Sequence, residues 1–191
     1  MKSWLRYGLA VVVGLVVGVG SAAYAVRSGA FGSGQQIGPW RTGTDYGTAE
    51  ASARTRAIVA LSGLLALPAR EARYYTAVAD DAGAPLDGNC SYTVSGGELP
   101  GRWWSLTLYD GEGYLVANDA NRFSVASAAL APAERKGWTI KVSPTRTDGH
   151  WLPSGGAERF QLTLRTYRPA DEGRSSPPRD ALPRIAKGDC A

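Results

Sequence analysis

The first pattern along the chain is an apolar run from Tyr7 to Val26, YGLAVVVGLVVGVGSAAYAV, twenty residues without a charge. A helix of that length, at 1.5 Å per residue, matches the roughly 30 Å hydrocarbon core of a bilayer. Lys2 and Arg6 precede the run and Arg27 follows it. The positive-inside bias therefore predicts a single-pass inner-membrane anchor over residues 1–26, with a cytoplasmic N-terminus and the remainder in the periplasm. Ala23-Tyr24-Ala25 also has the small-x-small form of a signal-peptidase site, so a cleaved signal peptide is the alternative; the run is longer than a usual signal h-region, which favours the anchor. Residues 27–38, RSGAFGSGQQIG, are Gly and Ser rich and read as a flexible spacer. The folded domain is then expected from Pro39-Trp40 to residue 191.

Between Glu50 and Leu67 the apolar positions Ile58, Leu61, Leu64 and Leu65 recur at three- and four-residue spacing, with Arg54 and Arg56 among the polar positions. That spacing predicts one amphipathic helix, closed by Pro68. Beyond it the period changes to two. Strands are predicted at Ala72–Ala79, Cys90–Val94, Arg102–Asp110, Tyr114–Ala117, Phe123–Val125, Trp138–Val142 and Arg159–Tyr167. In RWWSLTLYD, Trp104, Leu106 and Leu108 share one face, which should be core, and Trp103, Ser105, Thr107 and Tyr109 share the other. Asp110-Gly-Glu-Gly113 followed by YLVA has the form of a hairpin. Seven or so strands beside one helix give an all-β fold, a mainly antiparallel two-sheet sandwich or jelly roll, because a parallel α/β fold needs a crossover helix between strands. The Pro-rich tail from Pro169 is expected to run over the surface as an extended segment.

Composition agrees with this reading: 24 glycines and 11 prolines supply many turns. The net charge of +4 is spread among acids without a basic stripe, which argues against nucleic acid as a partner. The two cysteines, Cys90 and Cys190, belong to no CxxC or Cys/His cluster, so neither zinc nor redox exchange is implied. In an oxidising compartment they would form a bridge closing a loop of about a hundred residues, worth of order 4 to 5 kcal/mol in chain entropy. Two unpaired thiols are the alternative.

The succession GPW (38–40), GLLALPAREARYY (63–75), GAPLDGNCSY (83–92), LPGRWWSLTLYDGEGYLVANDANRFS (99–124), HWLPS (150–154) and FQLTLRTYRP (160–169) resembles the domain-of-unknown-function family numbered 1214. The resemblance implies a jelly-roll β-sandwich. In related chains this domain is often the C-terminal half of a protein that begins with a second such domain, numbered 1254. It further implies, for a short membrane-anchored form, a separately encoded domain-1254 partner.

Candidate chemistry is sparse. His150 is the sole histidine, so acid-base catalysis would pair it with a loop carboxylate such as Asp119, and no GxSxG elbow accompanies it. The surrounding DGHWLPS reads as a loop whose Trp151 fills a hydrophobic hole. Asn118, Asn121 and Arg122 concentrate hydrogen-bonding groups just after a strand, although Asx turns would use the same residues. Arg102, Trp103 and Tyr109 combine rings with a cation on or near one strand, an arrangement suited to a sugar ring or an anionic head group, or else to packing on both sides of a sheet. No metal cluster, phosphate-cradling loop or dinucleotide fingerprint is present, so no metal or cofactor is expected. The leading expectation is a non-catalytic binding module of the cell envelope, meeting a partner protein, glycan or lipid. A hydrolase or isomerase using His150 is the alternative.

Overall fold

The computed structural model describes residues 3–27, 34–61, 65–173 and 175–190. Helix α1 (Ser3–Arg27) carries the apolar run and is long and apolar enough to cross a membrane. Helix α2 is Ala53–Leu61. Ten strands follow the order β1 (Gln35–Ile37), β2 (Trp40–Thr42), β3 (Ala72–Ala77), β4 (Cys90–Gly96), β5 (Trp103–Asp110), β6 (Ser124–Ala126), β7 (Trp138–Ser143), β8 (His150–Pro153), β9 (Phe160–Tyr167) and β10 (Arg184–Cys190). They form a six-stranded sheet, β1-β2-β3-β9-β5-β6, and a four-stranded sheet, β10-β4-β7-β8.

Alternation dictates which side of each strand is buried, and both sheets turn an apolar side to one shared core. The six-stranded sheet contributes Trp104, Leu106, Leu108, Leu162, Leu164 and Tyr75, and the four-stranded sheet contributes Tyr92, Val94, Trp138, Ile140, Val142 and Ile185. Two aromatic pairs bridge the layers: Trp104 with Trp138, ring centres 4.6 Å apart, and Tyr92 with Phe160 at 5.5 Å. The expected core face of RWWSLTLYD is the observed one. Pairing is antiparallel throughout except between β7 and β8, which run parallel.

Several expectations need correction. Gln35–Ile37, placed in the spacer, pair with β2, so the folded part begins before Pro39. The helix expected over residues 50–67 is described only at Ala53–Leu61: Ile58 is buried, but Leu65 is 80% exposed, and the side chains of Leu61 and Leu64 lie outside the described residues. Its start is set by Ser52, whose hydroxyl accepts the Thr55 N–H at 3.1 Å. The YLVA segment makes a single bridge, Tyr109 to Leu115, and no strand. The Asp110 carboxylate accepts the Glu112 and Tyr114 N–H groups, closing a tight turn after which the chain leaves the sheet. The segment HWLP, read as loop, is the edge strand β8.

The tail is not simply extended either. Its first part is fastened by Arg73, which is only 1% exposed and donates from Nη1 to the carbonyls of Gly173 (2.8 Å) and Ser175 (3.0 Å). Its last part is β10, which pairs with β4 and carries the Cys90–Cys190 disulfide. Trp40 donates its indole N–H to Pro183 O at 2.7 Å, a further tie between the two ends of the folded part.

Candidate functional site

Sheet register sorts the outward side chains of the six-stranded sheet into rows that cross the strands. One row runs Gln36, Arg41, Thr76, Thr163, Thr107, Ser124, each the register partner of the next. Every member is polar. Six strands at about 4.8 Å spacing make the row about 24 Å long. The next row holds Tyr74, Arg165, Ser105 and Ala126, and beyond it lie Ala72, Tyr167 and Trp103. Gln161 and Tyr109 flank the hydroxyl row on its other side. The three threonines are buried while Tyr109, Gln161, Arg165 and Tyr167 are half-buried, so small hydroxyl residues form a floor between longer side chains.

Arg165 organises this face. Its guanidinium lies over the rings of Tyr109 (5.5 Å) and Tyr74 (6.0 Å), and donates from Nη2 to the Tyr109 hydroxyl at 2.7 Å and from Nη1 to Thr107 Oγ1 at 3.1 Å. Those two bonds leave three of the five N–H groups without a protein acceptor among the described residues. No carboxylate among them lies within ion-pair distance of Arg165. Trp103 is 38% exposed and packs on Tyr167 with ring centres 5.1 Å apart. Tyr74 is buried on this face by the chain around α2, where it forms a small core with Tyr46, Ala72, Val59, Ala66, Leu67 and Tyr167. Its hydroxyl donates to Leu65 O at 2.7 Å and accepts the Leu67 N–H at 3.2 Å, and Tyr46 meets its ring edge-on. Burial raises the Tyr74 hydroxyl above its ordinary pKa, which keeps it protonated as a donor. At the β1 end the floor opens into a cavity of about 550 Å³ between Gln36, Arg41, Thr76 and Val78 and the turn Asp80–Gly83. The two carboxylates there are occupied: Asp80 accepts the Ala82 and Ala84 N–H groups, and Asp81 is paired with Arg179.

The residues singled out in the sequence fall in two places. Trp103 and Tyr109 are on the outer face just described, and Arg102 is exposed at its margin, where its backbone N–H bonds Tyr167 O. Asn118, Asn121, Arg122 and Trp151 gather instead between β6 and β8. Asn118 closes its own turn through the backbone of Val116 and Arg122, Asn121 takes a left-handed φ of 47°, and Arg122 donates to Trp151 O at 3.1 Å. The Trp151 ring is 8% exposed and its N–H is taken by Ser143, so this group is bound up in tying loops together. Arg165, Tyr74 and Tyr167 were not singled out. The period-two alternation of β9 against β5 was the signal that placed Arg165 and Tyr167 on the outward face.

His150 meets a carboxylate, but it is Glu134 and not Asp119. His150 Nε2 lies 3.2 Å from both carboxylate oxygens of Glu134, with side chains 23% and 44% exposed. Asp119 is exposed on its turn, with no bond to His150. Glu134 sits in a 3-10 turn, Pro132–Lys136, where its carboxylate also accepts the Ala131 N–H at 2.7 Å. That backbone bond first, and the bond to His150 second, hold the Glu134 carboxyl below its usual pKa. Neither of the two described cavities touches the pair. Among the described residues no cluster of three His, Cys, Asp or Glu side chains could hold a metal.

Residues 71–171, more than half of the chain and including β3 to β9, match the family model "Protein of unknown function (DUF1214)". The chain belongs to the DUF1214 family. Among solved structures this DUF1214 chain is similar to the VPA0106 protein from Vibrio parahaemolyticus, at 24% identity and a TM-score of 0.56, over 72% of this chain and 36% of that one. An uncharacterized protein from Burkholderia cenocepacia overlaps at 18% identity and a TM-score of 0.45, over 61% of this chain and 29% of that one. The DUF1214 chain thus spans about a third of the length of these structures, and the likeness to the Vibrio protein concerns fold alone. No curated protein matches it.

Proposed function

We propose that this DUF1214 protein is a non-catalytic binding module of the bacterial cell envelope, anchored in the inner membrane by α1, with its sandwich on the periplasmic side. One observation carries the reading. The outer face of the six-stranded sheet collects Trp103, Tyr167, Tyr109 and Arg165 into one partly exposed ring-and-cation surface beside the α2 segment that covers Tyr74, where a solvated sheet needs only small polar residues. The Cys90–Cys190 disulfide supports an oxidising compartment, and Lys2 and Arg6 ahead of the apolar run from Tyr7 support a cytoplasmic N-terminus.

The reading is tested in cells with photoreactive residues placed singly at Gln161, on the proposed face, and at Thr139, on the other sheet. Adducts from Gln161 but not from Thr139 are the expected result, and equal labelling or none at Gln161 overturns it. A reporter at the C-terminus should be active only in the periplasm. A second reading, an envelope hydrolase or isomerase, is favoured by the His150–Glu134 pair at 3.2 Å, with Glu134 in the role first given to Asp119. In that case His150→Gln would abolish turnover of an envelope substrate while leaving Gln161 adducts intact.

A further inference from the structure

Charge on the outer face of the six-stranded sheet is one-sided. The register rows place two arginines there, Arg41 and Arg165, and among the described strand residues of that face not one aspartate or glutamate. In a chain with 17 acidic residues that imbalance asks for an anion from outside. A half-buried guanidinium with open N–H groups, set between two tyrosine rings, is geometrically matched to a carboxylate or phosphate. The surroundings narrow the class further. The floor beside Arg165 is a row of hydroxyls and the flank is an amide and a phenol, whereas the core of a protein interface is apolar. Hydroxyl rows suit a ligand that is itself rich in hydroxyls, and the exposed Trp103 ring offers a stacking platform near one end. The row is also long and crosses the strands, ending at β1 in the cavity whose two carboxylates, Asp80 and Asp81, are taken by backbone N–H groups and by Arg179.

From this we infer that the face binds an anionic oligosaccharide, a chain of sugar rings bearing carboxylate or phosphate groups, with Arg165 taking the anionic group, Thr107 and Thr163 the ring hydroxyls and Trp103 a ring face. The inference rests on the binding-module reading and names its ligand class.

The test uses the full chain in detergent and titration calorimetry with an oligogalacturonate. The parallel arms are its neutral methyl ester, a phosphorylated oligosaccharide, inorganic phosphate and polyglutamate. One of the two acidic oligosaccharides should bind, and which one does identifies the anionic group. Binding should weaken as salt rises. The neutral ester should bind at least about tenfold more weakly, and Arg165→Met and Trp103→Ala should each cost about tenfold or more, with near-UV circular dichroism confirming the fold. Lys141→Met, on the other sheet, should change nothing. Equal affinity for the neutral ester overturns the anionic assignment, and equal affinity for polyglutamate points to an acidic protein instead. Inorganic phosphate competing at similar concentration reduces the site to a simple anion pocket. If Gln161 forms adducts in cells and neither acidic oligosaccharide binds, the ligand class is wrong and the binding face stands; if Gln161 forms none, the underlying reading has failed.

Discussion

The two sheets share one core but clothe their outer faces differently. On the four-stranded sheet the outward positions of β4 and β7 are Ser91, Thr93, Ser95, Thr139 and Lys141, whose Nζ reaches Thr93 at 2.7 Å, and the larger residues beside them sit on the edge strands: Arg184 on β10, and on β8 Trp151, buried with its N–H held by Ser143. On the six-stranded sheet the outward positions include a tryptophan, the half-buried Tyr109 and Tyr167 and a half-buried arginine, while Tyr74 is buried beneath the chain around α2. A face that only has to meet water is satisfied by the first pattern. The second keeps rings and a desolvated cation near solvent, and that excess is what marks it as a place of recognition.

Breaking the comparison at its strongest point means removing the covalent link of the plainer sheet. Cys190→Ser should lower stability by about 2 to 5 kcal/mol, because β10 buries little besides Ile185 and leans on the bond to Cys90; chemical denaturation reads the loss. Next in size is Tyr74→Ala. This removes the ring that Tyr46 packs against and the two hydrogen bonds that hold the chain beside α2, so a loss of about 2 kcal/mol is expected. Trp103→Ala should cost about 1 kcal/mol or less, the worth of an exposed ring pair, while affecting binding far more. Lys141→Ala, on the solvated face, should stay within about 0.5 kcal/mol.

The smallest effect concerns pH. Glu134 is held below the usual carboxylate range, so its contribution is full above that range and is lost as pH falls through its lowered folded value. Glu134→Gln should therefore be less stable than the parent at neutral pH, with the gap closing in acid. A gap that widened on acidification would reverse the sign of the Ala131 and His150 bonds.

Much of this was legible in the residues. The alternation in β5 and β9 placed Leu106, Leu108, Leu162 and Leu164 in the core and Trp103 and Tyr109 outside it, because a strand has no other way to arrange them. Local patterns failed where a partner decides the structure. The segment RIAKGDC has one deeply buried side chain and no clean period, and becomes β10 only because β4 offers an edge and Cys90 a bond. HWLP, preceded by Gly149 and ending in Pro153, reads as loop, yet it pairs with β7 as an edge strand that tolerates a terminal proline. The Leu65 position fits a helical stripe and is exposed instead. The pairing of His150 with Glu134 had no local signal, since the two lie sixteen residues apart on separate elements.

The polar row, four hydroxyl residues with Arg41 and Gln36, takes one residue from each of six strands, drawn from positions as distant in the chain as 36 and 163. No peptide cut from this protein, and no form in which β1 or β9 has come away, contains it. A ligand seated along the row would therefore clasp the whole sheet at once, and its occupancy would register complete assembly of the protein rather than the presence of any one segment.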